Sequence, residues 1–450
     1  MSVAAQSTKT LSPSTPDLVR AIGRWSLTGL MLNSIIGSAI FGLPSTIALS
    51  LGRNSPWAML IAGAINAVIV ACYAEVASQF SEAGGAYLYA RVTFGRFCGI
   101  QTGWMLLLAR IAGPAANANL FVTYVEEFWP KAAQPLPRLA ILATVLGFLT
   151  LINIRGVRGG AYVSNLFILA KLVPLVFLAG VGALYLLSGH GAPPTISTAA
   201  SPQTWLKTIL LLFFAYGGFE NALTPLSEAK DPRRDVAAAL FTTILVCILL
   251  YASIQWVVVG VLNDPAHSQR PLAEVARVIF GARGASIISL VALISLYGGM
   301  SANILAVPRV PFALAEAGDF PSIFAAIHSK FRTPYFSILV FSLLTFLLAG
   351  LGNFAWNATL SAIARLFYYA VGCAALPALR RKQPNAAYFR LPGGIIFSIL
   401  GTGCCLLLAT QVDLGGSIVL GITVVVAVVN WIVVRSGKPF APTNREVLWQ

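Results

Sequence analysis

Long apolar runs separated by short polar stretches dominate this chain from residue 27 to residue 434. Twelve of them approach the roughly 20 residues that an α-helix needs to cross a bilayer. They span residues 27–51, 56–79, 98–124, 139–154, 161–187, 204–224, 238–262, 285–308, 334–352, 355–377, 393–411 and 415–434. The pattern predicts an all-α integral membrane protein with 12 transmembrane helices. Besides the two terminal tails, the longest pieces between runs are the stretches 80–97, 188–203, 263–284 and 309–333, read as loops. No stretch has the composition of a soluble domain, so the function is expected inside the helix bundle.

Two runs are interrupted. Gly37-Ser38-Ala39 lies inside the first and Gly217-Gly218 inside the sixth. Glycine in a membrane helix lets the backbone unwind, and the freed N–H and C=O groups are tolerated only where they line a cavity or meet a polar ligand. Breaks at corresponding places in two halves point to a transporter's binding site. The positions predict a 5 + 5 + 2 plan: a first five-helix repeat over 25–190, a second over 200–380, helices 11 and 12 over 390–435, and tails at 1–24 and 436–450. Five is an odd number, so the second repeat must be inverted relative to the first. Helix 5 and helix 10 close the two halves, and each carries one basic residue at similar depth, Lys171 and Arg365.

Composition sharpens this picture. The chain is 57% hydrophobic and 10% charged, where a soluble domain carries about 25% charged residues. The net charge of +15 would suit a nucleic-acid partner, but its distribution argues otherwise. With the N-terminus placed in the cytoplasm, 20 of the 30 Lys and Arg fall on inside segments and 7 outside; Arg110, Lys171 and Arg365 lie within spans. That bias predicts a multi-pass protein of the cell (inner) membrane with both termini cytoplasmic, and no nucleic-acid partner. The six cysteines are scattered without metal-ligand spacing, and His190, His267 and His328 lie in predicted loops. No metal, no cofactor and no enzymatic activity is expected, since the chain shows neither a phosphate-binding loop nor a nucleophile–base pair.

Several segments, taken in order, resemble the amino acid–polyamine–organocation (APC) superfamily of permeases. Helix 1 carries Gly37-Ser38-Ala39-Ile40-Phe41-Gly42-Leu43-Pro44. Helix 2 runs into Tyr73-Ala74-Glu75-Val76, followed by Gly84-Gly85-Ala86-Tyr87-Leu88-Tyr89-Ala90-Arg91 and Phe94-Gly95. Helix 6 reads Phe213-Phe214-Ala215-Tyr216-Gly217-Gly218-Phe219-Glu220, then Glu228-Ala229-Lys230-Asp231-Pro232-Arg233-Arg234. Helix 8 ends near Pro308-Arg309, before Ala315-Glu316-Ala317-Gly318-Asp319-Phe320-Pro321 and Thr333-Pro334. Helix 10 ends in Ala375-Leu376-Pro377 and Leu379-Arg380-Arg381. The resemblance covers about residues 25 to 395. It implies the LeuT-like inverted-repeat fold and transport of amino acids or related amines. One departure stands out: Ala39 occupies the place of a third family glycine, which predicts a narrower space beside the substrate.

The candidate site residues follow. Ile36, Gly37, Ser38 and Ala39 offer free N–H groups and the positive end of a half-helix, suited to a substrate carboxylate; the alternative is a small-residue packing face. Phe214, Ala215 and Tyr216, with Gly217 and Gly218 behind them, offer carbonyls for a substrate ammonium, and the resemblance makes Phe214 an aromatic lid. Asn303, with Ser301 and Tyr297, is polar enough to line the cavity. Lys171 is the leading candidate for proton coupling, or else a cation pinning broken helix 1 and helix 8. Glu220 is the second candidate for proton exchange, or else an acceptor joining helices. Arg110 either faces the cavity or sits in a buried ion pair, as does Arg365. Glu228, Arg233 and Arg234 are a candidate inner gate with the 80–97 loop, or else a solvated, orientation-setting loop.

The expectation is a secondary transporter working by alternating access. Its partners are an amino acid substrate, protons as the coupling ion, and the lipid bilayer. The two mid-span arginines and Lys171 disfavour a polyamine and lean toward a neutral amino acid. Sodium coupling, obligate exchange with an amino acid or polyamine, a nutrient sensor and a channel are the alternatives. The oligomeric state is not legible.

Overall fold

The computed structural model describes residues 23–80, 84–156, 160–192, 200–223 and 231–436. Among the described residues, each of the apolar runs contains helix. The first run forms α1 (Arg24–Ile35) and α2 (Ala39–Leu51), with three non-helical residues between them. Then come α3 (Ser55–Ala77), α4 (Gly85–Phe94), α5 (Arg96–Val125), α6 (Pro135–Arg155) and α7 (Gly160–Leu187). The sixth run forms α8 (Pro202–Tyr216) and the single turn α9 (Phe219–Ala222). The rest of the bundle is α10 (Pro232–Val261), α11 (Pro271–Ala306), α12 (Arg309–Glu316), α13 (Tyr335–Leu351), α14 (Phe354–Lys382), α15 (Gly394–Ala409) and α16 (Leu414–Ser436). Eight helices among the described residues are long and apolar enough to cross a membrane by length and composition; α13 and α15 are shorter apolar helices.

Local chemistry explains the element starts. Proline stands in the first turn of α3, α6, α8, α10 and α11, where its missing N–H leaves no unpaired donor. The Ser201 hydroxyl accepts from the Thr204 N–H at 3.2 Å, and the Asn353 side chain accepts from the Trp356 N–H at 2.9 Å. Both caps satisfy helix-start donors.

Burial separates an inner group of helices from a rim. In α5, 83% of the most apolar stretch is buried; in α16 the figure is 11%. The rim helices expose rows of large aliphatic residues, such as Ile395, Ile396 and Ile399 on α15 and Ile422, Val425, Val429 and Val433 on α16. A continuous exposed apolar band of that kind is the surface that lipid covers.

Three stretches expected as loops hold helix. Residues 80–97 contain α4, residues 309–333 contain α12, and α11 begins at Pro271, fourteen residues before the predicted start, bending at Gly281 (φ 73°, ψ −166°). The physical reason for α4 and α12 is a long-range clamp. The buried Asp319 carboxylate accepts from the Tyr87 hydroxyl of α4 and from Arg96 Nε at 2.7 Å, while Arg91 Nη1 lies 3.3 Å away. Arg96 also donates to the Gly318 carbonyl at 2.8 Å, and the Asn430 amide of α16 donates to the Asp319 carbonyl at 2.8 Å. Desolvation and the Asp319 charge both push the Tyr87 hydroxyl above its ordinary value, so Tyr87 stays a proton donor in this cluster. A second ion pair, Arg380 bidentate to Glu75 at 2.6 and 2.7 Å, ties α14 to α3.

Candidate functional site

The two breaks face each other. Helix α1 ends at Ile35; Ile36 leaves the helical region (φ −73°, ψ 89°), and Ser38 starts α2. Helix α8 ends at Tyr216, where Gly217 turns extended (φ −79°, ψ 157°) and Gly218 adopts φ 120°, ψ −18° before α9. Gly218 is needed here for two reasons. Its φ lies where side chains are rarely tolerated, and a Cβ would stand 2.5 Å from the Ser34 carbonyl oxygen of α1.

Between the breaks lies a cavity of about 60 Å³. The first break contributes Ser34, Ile35, Gly37, Ser38 and Ala39 to its lining; the second contributes Phe214, Gly217 and Asn221. Helix α5 adds Ala109, Arg110, Gly113, Pro114 and Asn117, α11 adds Asn303, and α14 adds Arg365. The Ser38 hydroxyl and the Asn221 Oδ1 are buried and have no hydrogen-bond partner among the described residues. The Asn303 amide donates to the Gly299 carbonyl at 2.8 Å.

Each break is held by a cation from another helix. Lys171 on α7 donates from Nζ to the Asn33 carbonyl at 2.8 Å and to the Ile36 carbonyl at 2.5 Å, so an ammonium bridges the carbonyls freed at the end of α1. The Tyr251 hydroxyl of α10 donates to the Ile35 carbonyl at 3.0 Å. At the other break the Arg365 guanidinium packs on Gly217, where a Cβ would collide with it, and Arg365 Nη1 donates to Glu220. Glu220 also accepts from the Tyr368 hydroxyl at 2.7 Å, the Tyr369 hydroxyl at 3.0 Å and the Gly218 N–H at 2.9 Å. Four donors around one buried carboxylate give it a complete set of partners.

Aromatic rings lie at two depths of the site. Phe214 meets Phe354, at the start of α14, edge to face with centroids 6.2 Å apart. Phe354 also lines a larger recess of about 540 Å³ with Arg138, Asn119, Asn353 and Trp356. The Phe214–Phe354 pair therefore stands between that recess and the cavity. Arg365 lies eleven residues further along α14, about 16 Å down its axis. Next to Glu220, Tyr73, Phe219 and Tyr369 pack together with centroids 5.3 to 5.8 Å apart.

Of the residues singled out from the sequence, Gly37, Ser38, Ala39, Phe214, Gly217, Asn303 and Arg110 line the cavity. Ile36, Ala215, Tyr216, Lys171 and Glu220 are buried around it without forming its wall. The Tyr216 side chain points to α3, donating to the Met59 carbonyl at 2.8 Å. Ser301 and Tyr297 are not in the lining either, while Glu228 and the side chain of Arg233 fall outside the described residues. Asn117 and Asn221 escaped the sequence reading. A signal for Asn117 was present: Arg110, Gly113, Pro114 and Asn117 follow the i, i+3, i+4, i+7 spacing that puts them on one face of α5.

Residues 22–436 match the family model described as amino acid permease. The chain belongs to the amino acid permease family. As the APC resemblance implied, it is a multi-pass membrane permease. A methylthioribose transporter of Bacillus subtilis is 26% identical over 410 residues, covering 86% of this chain and 87% of that protein. A branched-chain amino acid permease of the same organism is 26% identical over 411 residues, covering 87% of this chain and 88% of that protein. A serine/threonine exchanger, also of B. subtilis, is 26% identical over 331 residues, covering 71% of this chain and 74% of that protein.

Within this permease, Ala39 lines the cavity, at the position where the APC resemblance implies a glycine. Ala39→Gly is expected to broaden the range of accepted substrates, with about tenfold better uptake of the next larger side chain. Competition of labelled uptake by a size-graded set of amino acids checks this. An unchanged profile would show that Ala39 does not set the size limit.

Proposed function

We propose that this permease carries an amino acid across the inner membrane by alternating access, with both termini cytoplasmic and protons as the coupling ion. The observation that carries the reading is the cavity where two helix breaks meet. N–H groups at the start of α2 suit the α-carboxylate, and carbonyls at the end of α8 suit the α-ammonium. No carboxylate is in the lining among the described residues, so the substrate's side chain is neutral or acidic. The Phe214–Phe354 pair is the outer closure, and the Tyr73, Phe219 and Tyr369 cluster lies toward the inner side. The inverted repeat has support in how the cations are used: the fifth helix sends Lys171 to the helix 1 break, and the tenth sends Arg365 to the helix 6 break.

Lys171 is the coupling residue in this reading. Loss of its proton removes the charge from its contact with the Asn33 and Ile36 carbonyls and weakens its grip on the break. Its titratable neighbour on α10 is Cys247, while Tyr251 of the same helix bonds the adjacent Ile35 carbonyl. In proteoliposomes, Lys171→Met is expected to abolish stimulation of amino acid uptake by an imposed pH gradient while substrate binding remains measurable. Full gradient-driven uptake by the variant would make Lys171 a purely structural cation. Exchange is the second reading, favoured by the exchanger among the relatives. Uptake that requires internal amino acid, with or without a pH gradient, would establish it.

A further inference from the structure

The cavity between the breaks holds about 60 Å³, whereas the recess beyond the Phe214–Phe354 pair holds about 540 Å³. Small-molecule sites run to roughly 300–1,000 Å³, so the recess has the size of a ligand site. It lies between the ends of α5, α6, α13 and α14, which face outward on the proposed topology. Val122, Ala133, Leu351, Phe354 and Trp356 give it an apolar side. Arg138, in the first turn of α6, gives it a charge, and no Asp or Glu lines it among the described residues. The hydrogen bonds of Arg138 run through a single nitrogen. Nη2 donates to Asn119 Oδ1 at 2.8 Å, to the Ala349 carbonyl at 2.8 Å and to the Gly352 carbonyl at 2.7 Å. These bonds hold the guanidinium in place and leave its Nη1 and Nε edge for a ligand. No carboxylate pairs with it among the described residues. Glu126 and Glu127, just past α5, are taken by Arg270 and Arg277. Across the recess, Gly352 makes room for the Trp356 ring, which a Cβ there would strike, and Asn353 pins the Trp356 N–H at 2.9 Å.

A fixed guanidinium beside an apolar, aromatic wall suits a molecule with a carboxylate at one end and an apolar side chain at the other. The planar fork of an arginine matches a carboxylate in charge and in shape. Indole and phenyl rings offer a large apolar contact area. A cationic side chain would meet the like charge of Arg138 and find no acid to balance it. We infer that the recess is a second amino acid site. It holds an apolar amino acid by its carboxylate on Arg138 and by its side chain on Trp356 and Phe354, ahead of the cavity between the breaks. Phe354 belongs to both spaces: it lines the recess and meets Phe214. An occupant of the recess therefore touches the closure that it must pass. The inference rests on the proposed amino acid transport and adds a site to it.

Equilibrium binding of labelled leucine to the purified full-length permease tests the inference. Binding is expected to saturate at about two leucines per chain, and at about one in Ala133→Trp, whose ring fills the recess from an exposed position on its wall. Leucinamide keeps the side chain and the ammonium and lacks the carboxylate. It is expected to displace leucine from the recess only at about tenfold or higher concentration, the loss of a charge-assisted contact. Arg138→Gln is expected to erase that preference for leucine over leucinamide, a change that a purely structural arginine would not produce. Ala133→Trp leaves Arg138 in place, so the stoichiometry decides even if Arg138→Gln fails to fold. Saturation at a single leucine per chain, unchanged in Ala133→Trp, would overturn the second site and leave amino acid transport standing. A second site that takes leucinamide as well as leucine would overturn the role of Arg138 and with it the inference as stated. Absence of binding and uptake for leucine and every other amino acid tested would overturn both the inference and the proposed transport.

Discussion

Glu220→Gln is expected to destabilise the permease by about 3–5 kcal/mol, the usual cost of removing one member of a buried ion pair. The glutamine keeps the size of the side chain and loses the charge. Arg365 then keeps its own charge in a setting where its guanidinium is pinned against Gly217 and only 7% of the residue is exposed. The Tyr368 and Tyr369 hydroxyls and the Gly218 N–H would face a weaker acceptor. Replacing both partners, as in Glu220→Gln with Arg365→Met, is expected to recover much of the lost stability, because no unpaired charge remains. The same double variant is expected to stay inactive, since Arg365 is part of the cavity wall. Thermal unfolding in detergent, read for the two single variants and the double, gives the coupling between the sites. A Glu220→Gln protein as stable as the parent would show that the carboxylate does not hold the second break.

Gly218→Ala is expected to abolish uptake. Its φ of 120° costs an alanine on the order of 1–3 kcal/mol before any contact is counted. The added Cβ also meets the Ser34 carbonyl of α1, which is backbone and cannot swing aside. The two broken helices would have to separate, and the cavity between them would change shape. Gly217→Ala is the informative comparison. Its Cβ meets the Arg365 guanidinium, the end of a long side chain, so its effect should depend on Arg365. In an Arg365→Met background, Gly217→Ala is expected to cost little more, whereas Gly218→Ala should be as harmful as before. Equal and additive losses for both glycines would mean that the guanidinium contact does not act.

The sequence by itself determined the class of this protein and the place of its site along the chain. Apolar length is a local property, so each run could be counted without knowing its neighbours. The breaks were equally local: glycine at 37 and at 217–218 weakens a helix wherever that helix packs. The order of short motifs across the chain carried the family. Face assignment was harder. In a membrane bundle the lipid side and the packed side of a helix are both apolar, so periodicity tells little about which way a residue points. Tyr216 and Phe214 are two residues apart in one motif, yet only Phe214 lines the cavity. Partnerships were harder still. Glu220 and Arg365 are 145 positions apart, and Asp319 gathers Tyr87 and Arg96 from more than 200 positions away. Charge pairing across such distances depends on how helices are set side by side, which no local pattern encodes. Tertiary structure alone therefore decided that Lys171 holds one break and Arg365 the other, that α4 and α12 form where loops were expected, and that two guanidiniums share the wall of one cavity.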